Sequence, residues 1–364
     1  MSRSLNKLRV LRALLRKHAT PLDGHADGVR SAGELFKRVT ALFIRILPQQ
    51  QPDVLPPRGA DAFGIALSEA AREYPNLFAI GADTTKSMGY KPMLAEFPDR
   101  VINNGIAEQN MAMIGAGIAA SGGRAVVATY APFASMRIAE QIRTFVCYPN
   151  LDVKVISGLA GLSGNIEGVT HQGLEDIGIM RSMANMVIAV PADAASCTAI
   201  SREILKYTGP AYLRIGRGSV EKVFDENYTF RIGKANLLDD AGTDVAVICN
   251  GCAVARVLRA RELWKADGIR ARIIEMPCVK PIDEEAILNA VKDCGVIVTV
   301  EEHNVIGGLG SAVCEVVCKA ENPCGVTRIG IDDIYTESGP HNELLDKYNL
   351  SPEYIADVVK NAAK

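Results

Sequence analysis

From about Asp61 onward, apolar runs of strand length alternate with helical patterns, and no other feature restricts the chain as much. Strands joined through helices run parallel, and a parallel sheet needs helices on both faces to bury it. AFGIALSEAAREYP predicts a helix, LFAIGAD a strand ending in an acid, and AEFPDRVINNGIAEQ a loop, a strand over residues 100–103 and a turn. RAVVATYAPFAS, LDVKVISGLAG and MVIAVPAD continue the series, with helices at MRIAEQIRTFVC and AASCTAISREILKY, and PAYLRIGRG closes it. Charged, turn-rich sequence follows, and then a second set: DVAVICNG, AVARVLRARELWKADG, IRARIIEMP, DEEAILNAVKD, VIVTVEEH, a helix from about Gly310, and GVTRIGI. The expected fold class is α/β, with two open, mainly parallel sheets covered by helices on both faces. Residues 58–220 form the first domain, 221–243 a connecting segment and 244–364 the second domain.

Residues 1–57 read differently. The first 55 hold ten Lys and Arg against four acids, a formal charge of plus 6 in a chain whose net charge is −2. MSRSLNKLRVLRALLRKHAT has no acid, and Leu5, Leu8, Leu11 and Leu15 can share one helical face. A basic arm gripping a partner, an organellar targeting peptide and sequence upstream of the true start all fit. PQQQPDVLPPRG reads as a linker, because closely spaced prolines block helix and ladder alike.

The overall balance of 48% hydrophobic and 23% charged residues asks for no polyanionic partner such as nucleic acid. No apolar run approaches the roughly 18 residues of a membrane span. Nine cysteines without regular spacing fit a reducing compartment, hence a cytoplasmic protein, rather than a disulfide framework.

In open α/β sheets, ligands collect at the carboxyl ends of strands, and the chemistry-bearing residues of the first domain fall there. Asp83 ends one strand. Glu108, in GIAEQNM, opens a small-residue helix just after another, so its carboxylate is expected at a packed, poorly solvated turn. A glutamate that holds or shares a proton near neutrality is what acid–base chemistry on a heterocyclic cofactor requires. A glutamate in a first helical turn is also an ordinary favourable charge near the dipole. In TYAPFASM, Tyr130, Phe133 and Met136 are three apart and would form one lip on a helical turn, able to stack a heteroaromatic ring or simply to pack a core. SGNIEGVTHQG is a Gly-rich loop with Glu167, Thr170, His171 and Gln172 and little apolar content. Its histidine can donate to a carbonyl or hydroxyl, or be satisfied by local backbone. YLRIGRG offers Arg214 and Arg217, suited to a phosphate or carboxylate, or to surface ion pairs.

In order and separation, GIAEQNM, TYAPFASM, GVTHQG and AYLRIGRG resemble the pyrimidine-binding half of transketolase, a thiamine diphosphate enzyme. VEEHNVIGGLGSA and TESGPHNELLDKYNL resemble its C-terminal domain, and the likeness spans roughly residues 58–360. By this resemblance Glu108 is the catalytic glutamate that bonds N1′ of the aminopyrimidine ring and so promotes loss of the thiazolium C2 proton. Tyr130 and Phe133 fall on the pyrimidine-contacting aromatics, Met136 stands where some members have a third, and Asp83 matches an acid at the cofactor edge. His171 matches a substrate-binding histidine, and Arg217 an arginine that holds the acceptor's phosphate. Many transketolases read E-D-G before this loop, whereas Ile166, Glu167 and Gly168 stand here, so a longer acid occupies the place of a hydroxyl-reading Asp.

The family's diphosphate and Mg²⁺ require a GDG motif followed by Asn, and GDG does not occur in the sequence. The resemblance therefore implies one subunit of a split transketolase. A separate N-terminal subunit would carry the GDG motif and the Mg²⁺ ligands in an α₂β₂ assembly acting on sugar phosphates. Other readings are a 1-deoxyxylulose-5-phosphate synthase-like enzyme, a ketoacid dehydrogenase β-like enzyme, or a non-catalytic partner-stabilising subunit. GGLGS at 307–311 suggests a dinucleotide binder only weakly. CNGC, from Cys249 to Cys252, reads as a turn rather than a redox pair, and His303 and His341 as loop or surface residues.

Overall fold

The computed structural model describes residues 58–218 and 220–364, so the basic extension and most of the Pro-rich linker lie outside the described residues. In the first sheet, β1 (Leu77–Gly81), β2 (Val101–Asn103), β3 (Arg124–Tyr130), β4 (Val153–Gly158), β5 (Val187–Ala189) and β6 (Ala211–Arg214) are all parallel. The second sheet contains β7 (Asn236–Asp240), β8 (Val245–Cys249), β9 (Ala271–Glu275), β11 (Val296–Asn304) and β12 (Gly325–Ile331), in the order β12-β11-β8-β9-β7. β7 pairs antiparallel with β9 and lies within the segment read from sequence as a connector. Between β9 and β11 the chain leaves the second sheet, and β10 (Cys278–Lys280) pairs antiparallel with β5. The first sheet is thus β10-β5-β6-β4-β3-β1-β2, and the two domains are interlocked. The expected α/β class holds, with one antiparallel edge strand in each sheet.

The central strands are mostly apolar because helices cover both faces. β4 is buried along its whole length and β8 likewise. Close packing explains the small residues of the helix Glu108–Ala120. It buries Met111, Ala112, Gly115, Ala116 and Ala119, and a Cβ on Gly115 would stand 2.7 Å from Val127 Cγ1. That proximity seats the helix start against the sheet and fixes where Glu108 points. Among the described residues, no helix is long and apolar enough to cross a membrane.

Candidate active site

Glu108 is the first residue of its helix and only 6% exposed, although its chain neighbours Ala107 and Gln109 are exposed. Its carboxylate makes no side-chain hydrogen bond to the described residues, and its charged neighbour is Arg137, with Nη1 at 4.0 Å. Sequence reading missed Arg137, which also lies 5.7 Å from the centre of the Phe133 ring and so joins the acid to the aromatic lip. The turn before Glu108 is held by asparagines: Asn104 Nδ2 donates to Ala107 O at 2.6 Å, and Gly105 N donates to Asn103 Oδ1 at 3.2 Å.

Tyr130, Phe133 and His171 form the lip. Ring centres lie 6.3 Å apart for Tyr130–Phe133, 6.0 Å for Tyr130–His171 and 5.5 Å for Phe133–His171, the last pair edge to face. The expected single helical turn carrying Tyr130, Phe133 and Met136 does not form. Tyr130 is the last residue of β3 and Phe133 opens a wide helical turn, which leaves Met136 half exposed, and His171 completes the cluster. Tyr130 Oη is 3.2 Å from Ser87 Oγ, and His171 Nδ1 is 2.9 Å from Thr170 Oγ1.

A cavity of about 110 Å³ lies between β3, β4 and β6, lined by Ser87, Met88, Tyr130, Leu159 and Arg217 among others. Arg217 is exposed and paired with Glu167. Desolvation raises the Glu167 pKa, but the hydrogen bond and charge of Arg217 outweigh it and hold the carboxyl below its usual range. Asp83, exposed at the end of β1, accepts its tie from Asn103 Nδ2 at 3.4 Å, and its own amide donates to Asn103 Oδ1 at 3.0 Å. It faces the β2 end rather than the aromatic lip.

Arg214, two residues before the sheet rim opens, is no ligand arm. It is 5% exposed and bonds Asp176 at 2.9 Å, while its Nη2 donates to Gly173 O and Glu302 O. His303, expected in a loop or on the surface, is fully buried within β11. Ile177 N donates to its Nε2 at 3.2 Å and its Nδ1 lies 2.7 Å from Asn304 O, which suits a neutral ring; burial pushes its pKa down to about 4. His341 is likewise not on the surface but partly buried against Glu302. Cys249 and Cys252 are both free, one on β8 and the other turned to Glu302. At GGLGS the helix start is already filled: Glu301 accepts from Leu309 N at 2.6 Å and Gly310 N at 2.8 Å, the place a pyrophosphate would need.

Residues 57–222 match the transketolase pyrimidine-binding domain, and residues 233–355 match the transketolase C-terminal domain. The chain belongs to the transketolase family. A protein of Methanocaldococcus jannaschii named for a transketolase C-terminal section is 41% identical over 304 residues, covering 83% of this chain and 95% of that protein. A 6-deoxy-6-sulfo-D-fructose transketolase subunit of Clostridium sp. is 36% identical, over 81% of this chain and 91% of its own. Among solved structures, a split-gene transketolase described as an inactive β₄ tetramer is 38% identical with a TM-score of 0.77, covering 85% of this chain and 98% of that one. Membership in the transketolase family implies thiamine diphosphate as cofactor, and the residues fit it: a buried acid lacking a described hydrogen-bond partner is joined through Arg137 to the aromatic lip.

Proposed function

We propose that this chain is the pyrimidine-binding subunit of a two-chain transketolase that moves a two-carbon ketol unit from a ketose phosphate to an aldose phosphate. Glu108 carries the reading: it is a buried carboxylate with no hydrogen bond to the described residues, at the edge of an open aromatic lip. Such a group is free to share a proton with an incoming ring nitrogen, as an internally satisfied acid is not. When bound, thiamine diphosphate supplies the carbon nucleophile for ketose chemistry. Tyr130 and Phe133 offer faces to its pyrimidine, and Met136 lies at the outer edge of the same turn. Asp83 stands at the neighbouring strand end, tied to Asn103, and would meet the cofactor at its edge. His171, in contact with both aromatics, presents its Nε2 edge, which makes no hydrogen bond to the described residues, to a substrate hydroxyl or carbonyl. Arg217 takes the phosphate of the acceptor once released from Glu167.

Partner dependence has separate support. GDG is absent from the sequence, and among the described residues the single cluster of three metal-ligating groups contains a thiol, which does not suit Mg²⁺. The Mg²⁺ and diphosphate ligands are therefore assigned to a second chain, in an α₂β₂ assembly of the cytoplasm. Mixing the purified chain with a GDG-bearing N-terminal transketolase subunit, thiamine diphosphate and Mg²⁺ is expected to produce ketol transfer that neither chain shows alone. Turnover by the isolated chain would overturn the split assignment. Consumption of pyruvate instead of a ketose donor would favour the deoxyxylulose-phosphate synthase-like reading.

A further inference from the structure

We propose that Cys252, Glu302 and His341 form a three-ligand site for a borderline-soft divalent cation of the zinc type. The three come from separate elements: Cys252 caps the helix Ala253–Ala266, Glu302 lies near the end of β11, and His341 opens the helix His341–Lys347. Their ligand atoms all lie within 4.8 Å of one another. Cys252 Sγ is 2.5 Å from Glu302 Oε2, and His341 Nε2 is 2.7 Å from Glu302 Oε1.

Chemistry selects the ion class. Thiolate, imidazole and carboxylate are the zinc donors, and three protein ligands leave one position of a tetrahedron free. A cavity of about 30 Å³, lined by all three residues, adjoins the cluster and has room for about one water in that position. Charge balances as well. Cysteinate and Glu302 carry two negative charges, a neutral imidazole none, and a divalent cation cancels them in a site where Glu302 is only 6% exposed. The nearby cations are already committed, Arg214 to Asp176 and Arg256 to Asp346. Leu162 N donates to Glu302 Oε1 at 2.7 Å, the kind of supporting bond that orients a metal-bound carboxylate. Gly161, at φ +62°, lets that loop approach; a Cβ there would stand 2.5 Å from the Glu302 carboxyl carbon.

Without metal, the cluster holds itself together by protons. Burial and the adjacent carboxylate push the Cys252 thiol well up, and burial works against the His341 imidazolium while Glu302 holds its pKa above the ordinary value. A bound cation displaces the thiol proton and any imidazolium proton to solvent. The site would then clip three elements of the second domain to the Gly161–Leu162 loop of the first.

The test is a Co²⁺ titration of the full-length, tag-free chain, reduced and freed of metal. One equivalent is expected to give tetrahedral ligand-field bands and a near-ultraviolet thiolate-to-cobalt band, and Zn²⁺ should abolish both. Cys252→Ser, which keeps a donor for Glu302, should lose the thiolate band, and His341→Asn should weaken binding by at least about tenfold, the range seen even for ligand-supporting residues. Cys318→Ser, altering an exposed thiol outside the cluster, should change neither. Absence of a thiolate band in the parent chain, or its survival in Cys252→Ser, overturns the proposal. Should Cys252→Ser fail to fold, undiminished affinity in His341→Asn overturns it equally.

Discussion

At the rim of the first sheet, Glu108 is buried at the start of a helix and finds no hydrogen bond among the described residues; at the end of β11 in the second sheet, Glu301 is equally buried and finds two. Both carboxylates sit where strands of an α/β sheet give way to helices. The second end is closed by side chains and backbone of both domains: Glu301 fills the helix start, His303 is fixed by Ile177 N of the first domain and by Asn304 O, and beside it Asp176 of the first domain holds Arg214 and Tyr212. The first end stays open between Arg137, the aromatic lip and the Tyr130 cavity. Burial therefore does not distinguish a reactive acid from a structural one. The supply of partners does, because a satisfied carboxylate has already spent the lone pairs that a cofactor would need.

The largest expected effect tests that contrast directly. Glu108→Gln should lower ketol transfer by the reconstituted two-chain enzyme by at least ~10²-fold, the usual size of an acid–base contribution, while its urea midpoint matches the parent chain. Glu301→Gln should do the reverse, keeping turnover within a few fold and shifting the urea midpoint. Equal losses of activity in both variants would erase the distinction between open and closed ends. Next in size is Arg214→Met, which strands the fully buried Asp176 carboxylate between the domains. Removing one partner of such a pair costs about 3–5 kcal/mol, readable as a lowered urea midpoint with unchanged slope. A loss below about 1 kcal/mol would show that water reaches Asp176.

How much of this contrast the sequence carried depends on range. Strands such as VAVIC are legible because complete burial on two faces selects apolar residues, and VKVISG departs from that pattern only at its polar residues Lys154 and Ser157. Glu108, Tyr130, Phe133 and His171 stood out because small residues and glycines surround them where no core needs filling. Arg137 gave no signal, since an arginine on a helix reads as a solvated charge until its neighbours are known. VEEH read as a strand running into a loop, so His303 was misjudged, because a buried polar run announces itself only through its partners. Those partners are distant: Glu302 meets Cys252 50 residues away and His341 39 residues away. The return of β10 to the first sheet was illegible for the same reason.

The closed end should also shape the pH dependence of stability, at an intermediate magnitude. Glu275, fully buried at the end of β9, accepts from Asn236 Nδ2 at 2.9 Å and Tyr228 Oη at 3.1 Å, but its Oε1 has no partner among the described residues. Desolvation raises its pKa to about 7, and Glu301 is likewise raised to about 7. The folded state then binds more protons than the unfolded chain between about pH 4.5 and 7, so stability falls as pH rises through that window. His303 acts oppositely: its folded pKa of about 4 lies below the unfolded value, so its contribution is lost as pH falls from about 6.5. Glu275→Gln should therefore be more stable than the parent at pH 8 by roughly 3 kcal/mol, with little difference at pH 4.5. Parallel stability curves for the two proteins would contradict this account.

The smallest effect falls on the open end. Arg217 and Glu167 are exposed partners, and an exposed pair contributes about 0–1 kcal/mol, so Glu167→Gln should barely move the urea midpoint. Its consequence is for binding. While paired, Arg217 directs its guanidinium at Glu167, and any acceptor phosphate must compete with that carboxylate. Removing the negative charge frees the guanidinium and removes a like charge from the phosphate's path, so KM for a phosphorylated aldose should fall a few fold in the reconstituted enzyme. A non-phosphorylated aldose gains nothing from a freed arginine, and its KM should stay level or rise as a hydroxyl contact is lost. Parallel shifts for both acceptors would mean that Glu167 acts on the loop as a whole, and Arg217 would lose its assignment to the phosphate.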